Sequence, residues 1–502
     1  MPDRNDFIDI INKGYDTKGD YITLGAAMLG EETITNAFVK IPLKTINRHG
    51  LIAGATGTGK TKTLQVFAEN LSDNGIPVLL MDIKGDLSGL AKVSSGHPKI
   101  DERHEKIGLP FNAKKFPVEI LTLSEQNGTR LRATVSEFGP TLLSRILELS
   151  DTQSGIVAVL FQYCDDNQLP LLDLKDFKKI LQYATREGKK EMESSYGRIS
   201  TSSTGSILRK IVALEQQGAD LFFGERSFEV EDLTRIDDEG KGMISILRLT
   251  DIQDKPKLFS TFMLQLLAEI YSTFPEQGDS DRPELVLFID EAHLVFENAS
   301  KTLLDQIESI IKLIRSKEIG IYFVTQNPDD IPSDVLSQLG LKIQHALRAF
   351  TAKDRKAIKL AAENYPESEF YNTSKVLTEL GIGEALVTVL SEKGIPTPLA
   401  KTMIRAPMSR MGVLSEAELK ELLNLSKISY KYNELIDSES AYEILNKKIS
   451  QISKEQEKTK VQQQNKSRSK SRSMRMNPVI KLVTSATFIR GVFGILNKML
   501  KK

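Results

Sequence analysis

Residues 50–64, GLIAGATGTGKTKTL, constrain this 502-residue chain more than any other stretch. A short apolar run leads into a glycine-rich turn, and a run suited to a helix follows. A unit that holds phosphate needs that order. Glycines let backbone amides curl around a β-phosphate, and the next helix aims its positive end at it. Gly54, Ala55, Thr56, Gly57, Thr58 and Gly59 form the expected cradle. Lys60 is placed to reach the β- and γ-phosphates, and Thr61 to offer a hydroxyl to Mg²⁺. Lys62 is counted with them as a nucleotide-binding position. The expected ligands are therefore ATP and Mg²⁺.

Such a cradle belongs at the carboxyl end of a strand, and the chain supplies further strands of the matching type. PVLLMDI, PVEILTL, GMISILRL, LVLFIDE, GIYFVTQ and EALVTVL are short, continuously apolar and bounded by Gly, Pro or polar residues. Buried strands of a parallel sheet have this character. Helical patterns alternate with several of them; Leu303, Ile307, Ile310, Ile311 and Ile314 fall on one helical face. The expected fold is α/β, a doubly wound core with a parallel-rich sheet.

Residues 1–46, with DYITLGAAML and AFVKIPL, read as a small N-terminal β appendage. Residues 47–135 form the first part of the core. Helical periodicity then replaces the strand signal, giving a mainly helical insertion over 136–240 before the core resumes over 241–412. A C-terminal helical segment follows over 413–453. The run KEQEKTKVQQQNKSRSKSRSMRMN has too little apolar surface to offset its ordering entropy, so 454–476 reads as a disordered basic linker. Residues 477–502 read as an amphipathic helical tail.

Lys+Arg and Asp+Glu both number 67, so no global charge draws the chain to nucleic acid, and any such site is a local patch or a lined pore. The one cysteine, Cys164, excludes an internal disulfide framework and fits a reducing compartment. The N-terminus lacks a basic-then-apolar leader, and no apolar run approaches the ~20 residues that span a bilayer. The expected location is the cytoplasm.

ELVLFIDEAH supplies the second half of a hydrolytic site. Asp290 and Glu291 end a strand expected to neighbour the cradle, Asp290 for the metal shell and Glu291 to orient and polarise the attacking water. Gln326 ends GIYFVTQNP, where its amide senses a γ-phosphate or makes a local turn bond. Two roles are open to Arg315: a surface charge offsetting a helix C-terminus, or an arginine finger entering a neighbouring subunit's site. Asp82, ending PVLLMDI, either serves the water and metal shell or caps the helix that follows. The DEAH spelling at 290–293 invites an RNA-helicase reading, but that class's arginine-rich Q-x-x-G-R-x-G-R motif is absent, so His293 reads as a packing or turn residue.

NRHGLIAGATGTGKT, DIKGDLSG, FIDEAHLVF, IRSKEIGIYFVTQNP and LGLKIQHALRAFT together resemble the HerA-like branch of the HerA/FtsK P-loop ATPases, most nearly the bacterial YjgR family. The resemblance runs from about residue 47 to 412. It implies a RecA-like core that assembles into a hexamer with nucleotide between subunits. By position it gives Lys60 and Thr61 to phosphate and Mg²⁺, Asp290 and Glu291 to metal and water, and Gln326 to sensing. It sets Arg315 as a finger acting in trans and Arg48 as a further nucleotide-contacting arginine. The residues before Asn47 are too few for the full β-barrel by which DNA-translocating relatives dock a nuclease, so the resemblance identifies no nuclease partner.

The leading functional expectation is a ring-forming, Mg²⁺-dependent ATPase that translocates double-stranded DNA. TRLRA at 129–133 and YGRISTSSTGSILRK at 196–210 are the candidate pore linings, having Arg, Lys and hydroxyl donors for phosphates. The alternative is a membrane-peripheral regulatory or scaffold ATPase. There, Lys466, Arg468, Lys470, Arg472 and Arg475 lead into a basic amphipathic helix suited to an anionic lipid interface.

Overall fold

The computed structural model describes residues 3–467 except 254, 279, 297–300, 435 and 437. The chain forms two compact units, Met1–Leu131 with Phe228–Asn433, and Arg132–Ser227 with Glu434–Lys502.

The first unit is built on a twelve-stranded sheet. In chain order its strands are β1 (Tyr21–Leu29), β2 (Glu32–Pro42), β3 (Gly50–Ala53), β4 (Val78–Asp82), β5 (Val118–Thr122) and β6 (Thr129–Arg130). There follow β7 (Ile244–Arg248), β8 (Leu285–Ile289), β9 (Ile319–Thr325), β10 (Leu341–Gln344), β11 (Glu384–Thr388) and β12 (Ala400–Ile404). Their order across the sheet is β2-β1-β12-β11-β10-β3-β9-β8-β4-β7-β5-β6. Strands from β10 to β6 run parallel, whereas β2, β1, β12 and β11 pair antiparallel.

The parallel block accounts for the continuous apolar runs, because strands such as β3, β4, β8 and β9 are buried at every position. EALVTVL departs from the parallel expectation: β11 is antiparallel to both neighbours. Burial on two faces writes the same pattern in either direction, so the run itself carries no polarity. The N-terminal residues are likewise not a separate appendage. A helix, Arg4–Gly14, comes first, and β1 joins the main sheet by pairing Gly25, Ala26 and Ala27 with Ile404, Met403 and Thr402. Phe7 and Ile11 of that helix are buried, with Phe7 edge-on to Phe370 at 5.1 Å.

The helix after the cradle, Lys60–Asp73, packs through Phe67, whose ring lies 5.6 Å from Phe288 of β8 and 5.1 Å from Tyr322 of β9. Aromatic clusters of this kind combine large buried area with geometric preference. The three rings fix the helix over the two strands that carry the remaining chemistry. Its outer end is tied by Glu69, which is fully buried and accepts the Met408 and Ser409 amides at 2.8 and 2.9 Å.

The second unit is helical. Its boundary falls at 227, short of the expected 240, because Glu229 and Asp232 pair with Lys431 of the first unit, and Phe228 packs on Tyr432. A helix spans Ala441–Ser467, so the linker expected from 454 is helical as far as Ser467. Glu, Lys and Gln are good helix formers even where they bury nothing, which low apolar content does not reveal. The helix is held at its start by Asp176, which accepts the Tyr442 amide at 2.8 Å. Nearly two turns further, Lys448 donates to Glu191 at 3.0 Å beside the Tyr163 and Tyr183 rings. The expected tail helix over 477–502, with Arg468, Lys470, Arg472 and Arg475, lies outside the described residues. Among the described residues no helix is long and apolar enough to cross a membrane.

Candidate functional site

The carboxyl edge of the parallel block gathers most of the expected site. The cradle leaves β3 pinned on both sides: the Gly54 amide donates to the Thr325 carbonyl at 3.2 Å, and the Ala55 amide to that of Ala346 at 2.8 Å. Gly59 is left-handed (φ 113°) and opens the helix Lys60–Asp73, whose first amides have no intrahelical acceptor. Lys60 is buried and donates to the carbonyls of Gly54 at 2.5 Å and Ala55 at 3.2 Å, inside its own loop. Burial first, and then the nearby Lys84 charge, lower its pKa.

Gly54 is required sterically as well as conformationally. Its φ is 150°, and an added Cβ would lie 2.5 Å from His345 Cβ. Gly54→Ala is expected to cost about 1–3 kcal/mol locally and weaken binding of an ATP analogue about fivefold or more. An unchanged Kd by fluorescence titration would remove the loop from the nucleotide site.

The cradle and the acidic pair are not on neighbouring strands, as the sequence suggested. β9 stands between β3 and β8, which puts their ends about 10 Å apart at ~4.8 Å per strand. Gln326, at the end of β9, spans that gap. Its Oε1 accepts from Thr56 Oγ1 at 3.2 Å, and its Nε2 faces both Glu291 oxygens at 3.5 and 3.4 Å. One side chain therefore touches the cradle and the acidic pair together.

Glu291 is buried and left-handed (φ 46°), a conformation that costs a non-glycine residue energy and recurs at functional sites. Lys84 forms an ion pair with it, and His293 Nδ1 lies 3.3 Å from its other oxygen. Burial works to raise its pKa, but Lys84 and Gln326 outweigh burial and hold it below the usual carboxylate value. Asp290 behaves oppositely: burial pushes it up to about 7, with Lys84 opposing and Glu291 adding to the rise. Lys84 and His293 are thus neighbours of Glu291. In the sequence Lys84 lies in DIKGDLSG with no role of its own, and His293 reads as a packing or turn residue.

Other expectations change. Asp82 closes a turn and does not cap the helix that follows: its carboxylate accepts the amides of Gly85, Asp86 and Leu87 at 2.7, 3.2 and 3.1 Å, which shapes the turn carrying Lys84, while Ser88–Ala91 has no side-chain cap. Burial raises Asp82 to about 6. Lys62 donates to the Met411 carbonyl at 2.5 Å, because two residues along a helix turn a side chain away from the face that Lys60 occupies. Thr61 follows Lys60 and is half-buried.

Arg48 and Arg315 stand elsewhere. Arg48 precedes β3 and Arg315 precedes β9, so both lie at the amino edge of the sheet. The whole of β3, Gly50–Ala53, lies between Arg48 and Gly54, about 13 Å at ~3.3 Å per strand residue. Arg48 therefore stands at the edge of the sheet opposite its own cradle.

Among the described residues no three His, Cys, Asp or Glu side chains gather as a metal cage. A hydroxyl and a carboxylate facing phosphate instead fit Mg²⁺, which keeps waters and takes further oxygens from a nucleotide.

A protein-family model described as Helicase HerA-like C-terminal matches residues 28–489. The chain belongs to this family. Among curated relatives, the DNA double-strand break repair helicase HerA of Saccharolobus solfataricus is 24% identical over 382 residues, 74% of this chain and 67% of that one. The HerA of Sulfolobus acidocaldarius is 21% identical, covering 72% and 66%. The DNA import protein CedB of the latter organism is 26% identical over 360 residues, covering 71% and 52%. The chain thus spans about two thirds of the length of these HerA relatives and about half of CedB. Among solved structures, the bacterial conjugative coupling protein TrwBdeltaN70 in its unbound form has a TM-score of 0.52 at 15% identity, covering 81% of this chain and 93% of that one, a likeness of fold. This HerA-like chain is a P-loop ATPase, built on a mostly parallel sheet.

Proposed function

We propose that this HerA-like chain is the subunit of a ring-forming, Mg²⁺-dependent ATPase that moves double-stranded DNA. One observation carries the ring. Cradle, Gln326 and acidic pair share the carboxyl edge, while Arg48, half-buried, and Arg315, exposed, stand at the amino edge of the same strands. Arginines placed there serve a triphosphate only if it belongs to another copy. Hydrolysis then falls at the junction of two subunits, as closed rings with head-to-tail contacts arrange it.

Within one junction, the cradle amides and Lys60 bind the polyphosphate, whose charge competes for the Lys60 ammonium now held by two loop carbonyls. Thr61 and Asp290 would hold Mg²⁺, which neutralises charge on the β- and γ-oxygens. Glu291 accepts the proton of the attacking water, kept ionised by its neighbours. Gln326, in touch with both Thr56 and Glu291, aligns the water with the γ-phosphate. The arginines of the next copy stabilise the charge that develops.

The names of the relatives, a repair helicase and a DNA import protein, support DNA as the polymer. Of the candidate linings, Arg132 is buried and leaves the set, whereas Arg209 and the hydroxyls of Thr201 and Ser202 are exposed. Backbone contacts without base readout predict stimulation by any duplex sequence. Purified protein is expected to hydrolyse ATP faster with double-stranded DNA, the apparent DNA affinity falling by orders of magnitude (~10³ for about six phosphate contacts) between 50 and 200 mM salt. Turnover indifferent to DNA at low salt would exclude DNA as the load.

A further inference from the structure

The tripeptide Asn47-Arg48-His49 does more than carry an arginine. Asn47 is buried and its Nδ2 donates to Glu318 Oε2 at 2.7 Å. Glu318, itself buried and left-handed (φ 59°), closes the turn that begins at Arg315, donating its amide to the Arg315 carbonyl at 3.0 Å. On the other side of Arg48, His49 is also buried and left-handed (φ 58°). The Ile321 amide donates to its Nδ1 at 3.1 Å, which leaves Nε2 to donate to the Ile311 carbonyl at 2.9 Å. Ile311 lies in the last turn of the helix Lys301–Ile314, and Ile321 lies in β9.

Arg315 sits between these two anchor points. The helix before it is fastened by His49, the turn after it by Asn47, and Arg48, half-buried, lies between the two fasteners in the chain. The strands repeat the link, since β3 and β9 pair directly with Gly50 opposite Tyr322. His49 is close enough to both guanidiniums to feel their charge, and burial together with those charges holds its pKa at about 4. A neutral ring keeps the donor and acceptor pattern intact at ordinary pH.

We propose that Asn47 and His49 are positioning residues that lock Arg48 and Arg315 into one rigid pair, presented to the nucleotide of a neighbouring copy. The proposal rests on the ring reading above and adds the device that sets the geometry of the two cations. Flexible arginines at a subunit junction lose side-chain entropy on every insertion, and a prebuilt pair avoids most of that loss. A displacement of about 1 Å at such a site costs on the order of a hundredfold in rate.

The test exploits the polarity of the Asn47–Glu318 bond. Asn47→Asp sets two carboxylates against each other and is expected to lower kcat about a hundredfold with the Kd for a fluorescent ATP analogue unchanged. Adding Glu318→Gln reverses donor and acceptor, because the new amide can donate to Asp while its oxygen still accepts the Ser280 amide, now 3.3 Å from Glu318 Oε1. The double variant is expected to regain most of the rate. Mixing Asn47→Asp with Lys60→Ala protein, inactive alone but with its arginine pair intact, is also expected to recover activity. Should Asn47→Asp not fold, Asn47→Ala removes the donor without adding charge and is read in the same way. Unchanged kcat, a parallel loss of nucleotide affinity, or failure of the double variant to recover each overturns the clamp. Arg315→Ala mixed with Lys60→Ala is the control: recovery there with none for Asn47→Asp sinks the clamp alone, and no recovery in either sinks the ring reading with it.

Discussion

Arg315→Ala is expected to lower ATP turnover about a thousandfold or more while nucleotide still binds. The expectation follows from where the residue stands. Arg315 is exposed at the amino edge of β9, and the cradle of the same chain opens at the carboxyl edge of β3. Truncation therefore leaves the phosphate-binding loop, Lys60 and the Gln326 bridge untouched, so Kd is expected to hold within about threefold, or less than 1 kcal/mol. A guanidinium that meets charge only as it develops contributes to kcat, and a thousandfold corresponds to about 4 kcal/mol of transition-state stabilisation. Complementation is the decisive measurement. Arg315→Ala subunits keep a competent cradle, Lys60→Ala subunits keep a competent arginine, and a mixed ring holds some junctions with both. Activity above the sum of the separate proteins requires residues from two chains at one nucleotide. A mixture no better than its parts places the finger within one chain, against the two-edge geometry.

The second large effect is expected from Glu291→Gln. The amide keeps size and hydrogen bonding but cannot accept a proton, so hydrolysis is expected to fall on the order of 10²–10⁴-fold. ATP should remain bound, making the variant a trap for the loaded state. The surroundings of Glu291 give this expectation its force. It is buried, which works to raise its pKa, but the ion pair with Lys84 and Gln326 facing both of its oxygens hold that pKa below the usual carboxylate value. Single-turnover hydrolysis with radiolabelled ATP reads the step directly. A rate near that of the parent protein would assign Glu291 to structure and return the search for a base to Asp290.

Much of this was legible because local chemistry leaves local marks. A phosphate cradle needs glycines, a lysine and a hydroxyl at set spacings between a strand and a helix, and residues 54–61 state that need without reference to the rest of the chain. Asp290, Glu291 and Gln326 were legible for a similar reason: a polar residue that ends a fully apolar strand is exposed to chemistry at the sheet edge. Asp82 was ambiguous in the sequence, since a strand-terminal carboxylate serves a metal or a turn equally well. Only the three amides folded onto it decide for the turn. Lys84 had no signal of its own, because its meaning lies in Glu291, more than two hundred residues away.

Strand polarity and partnership were beyond the pattern too. Apolar runs announce burial, and burial is the same for β11, antiparallel, as for β9, parallel. The same limit hid β9 between β3 and β8, and with it the bridge that Gln326 makes. It also concealed that Arg48, six residues from Gly54 in sequence, stands at the opposite edge of the sheet. Linear spacing records distance along a strand without saying which end a side chain serves. From residue order alone come the phosphate loop, the carboxylates and the α/β class, each being a short-range requirement of hydrogen bonding, charge or burial. The neighbours of Glu291, the bonds that tie Asn47 and His49 to the segment around Arg315 and the split between the edges come from long-range strand order, which arises when the chain packs and leaves no local imprint to read.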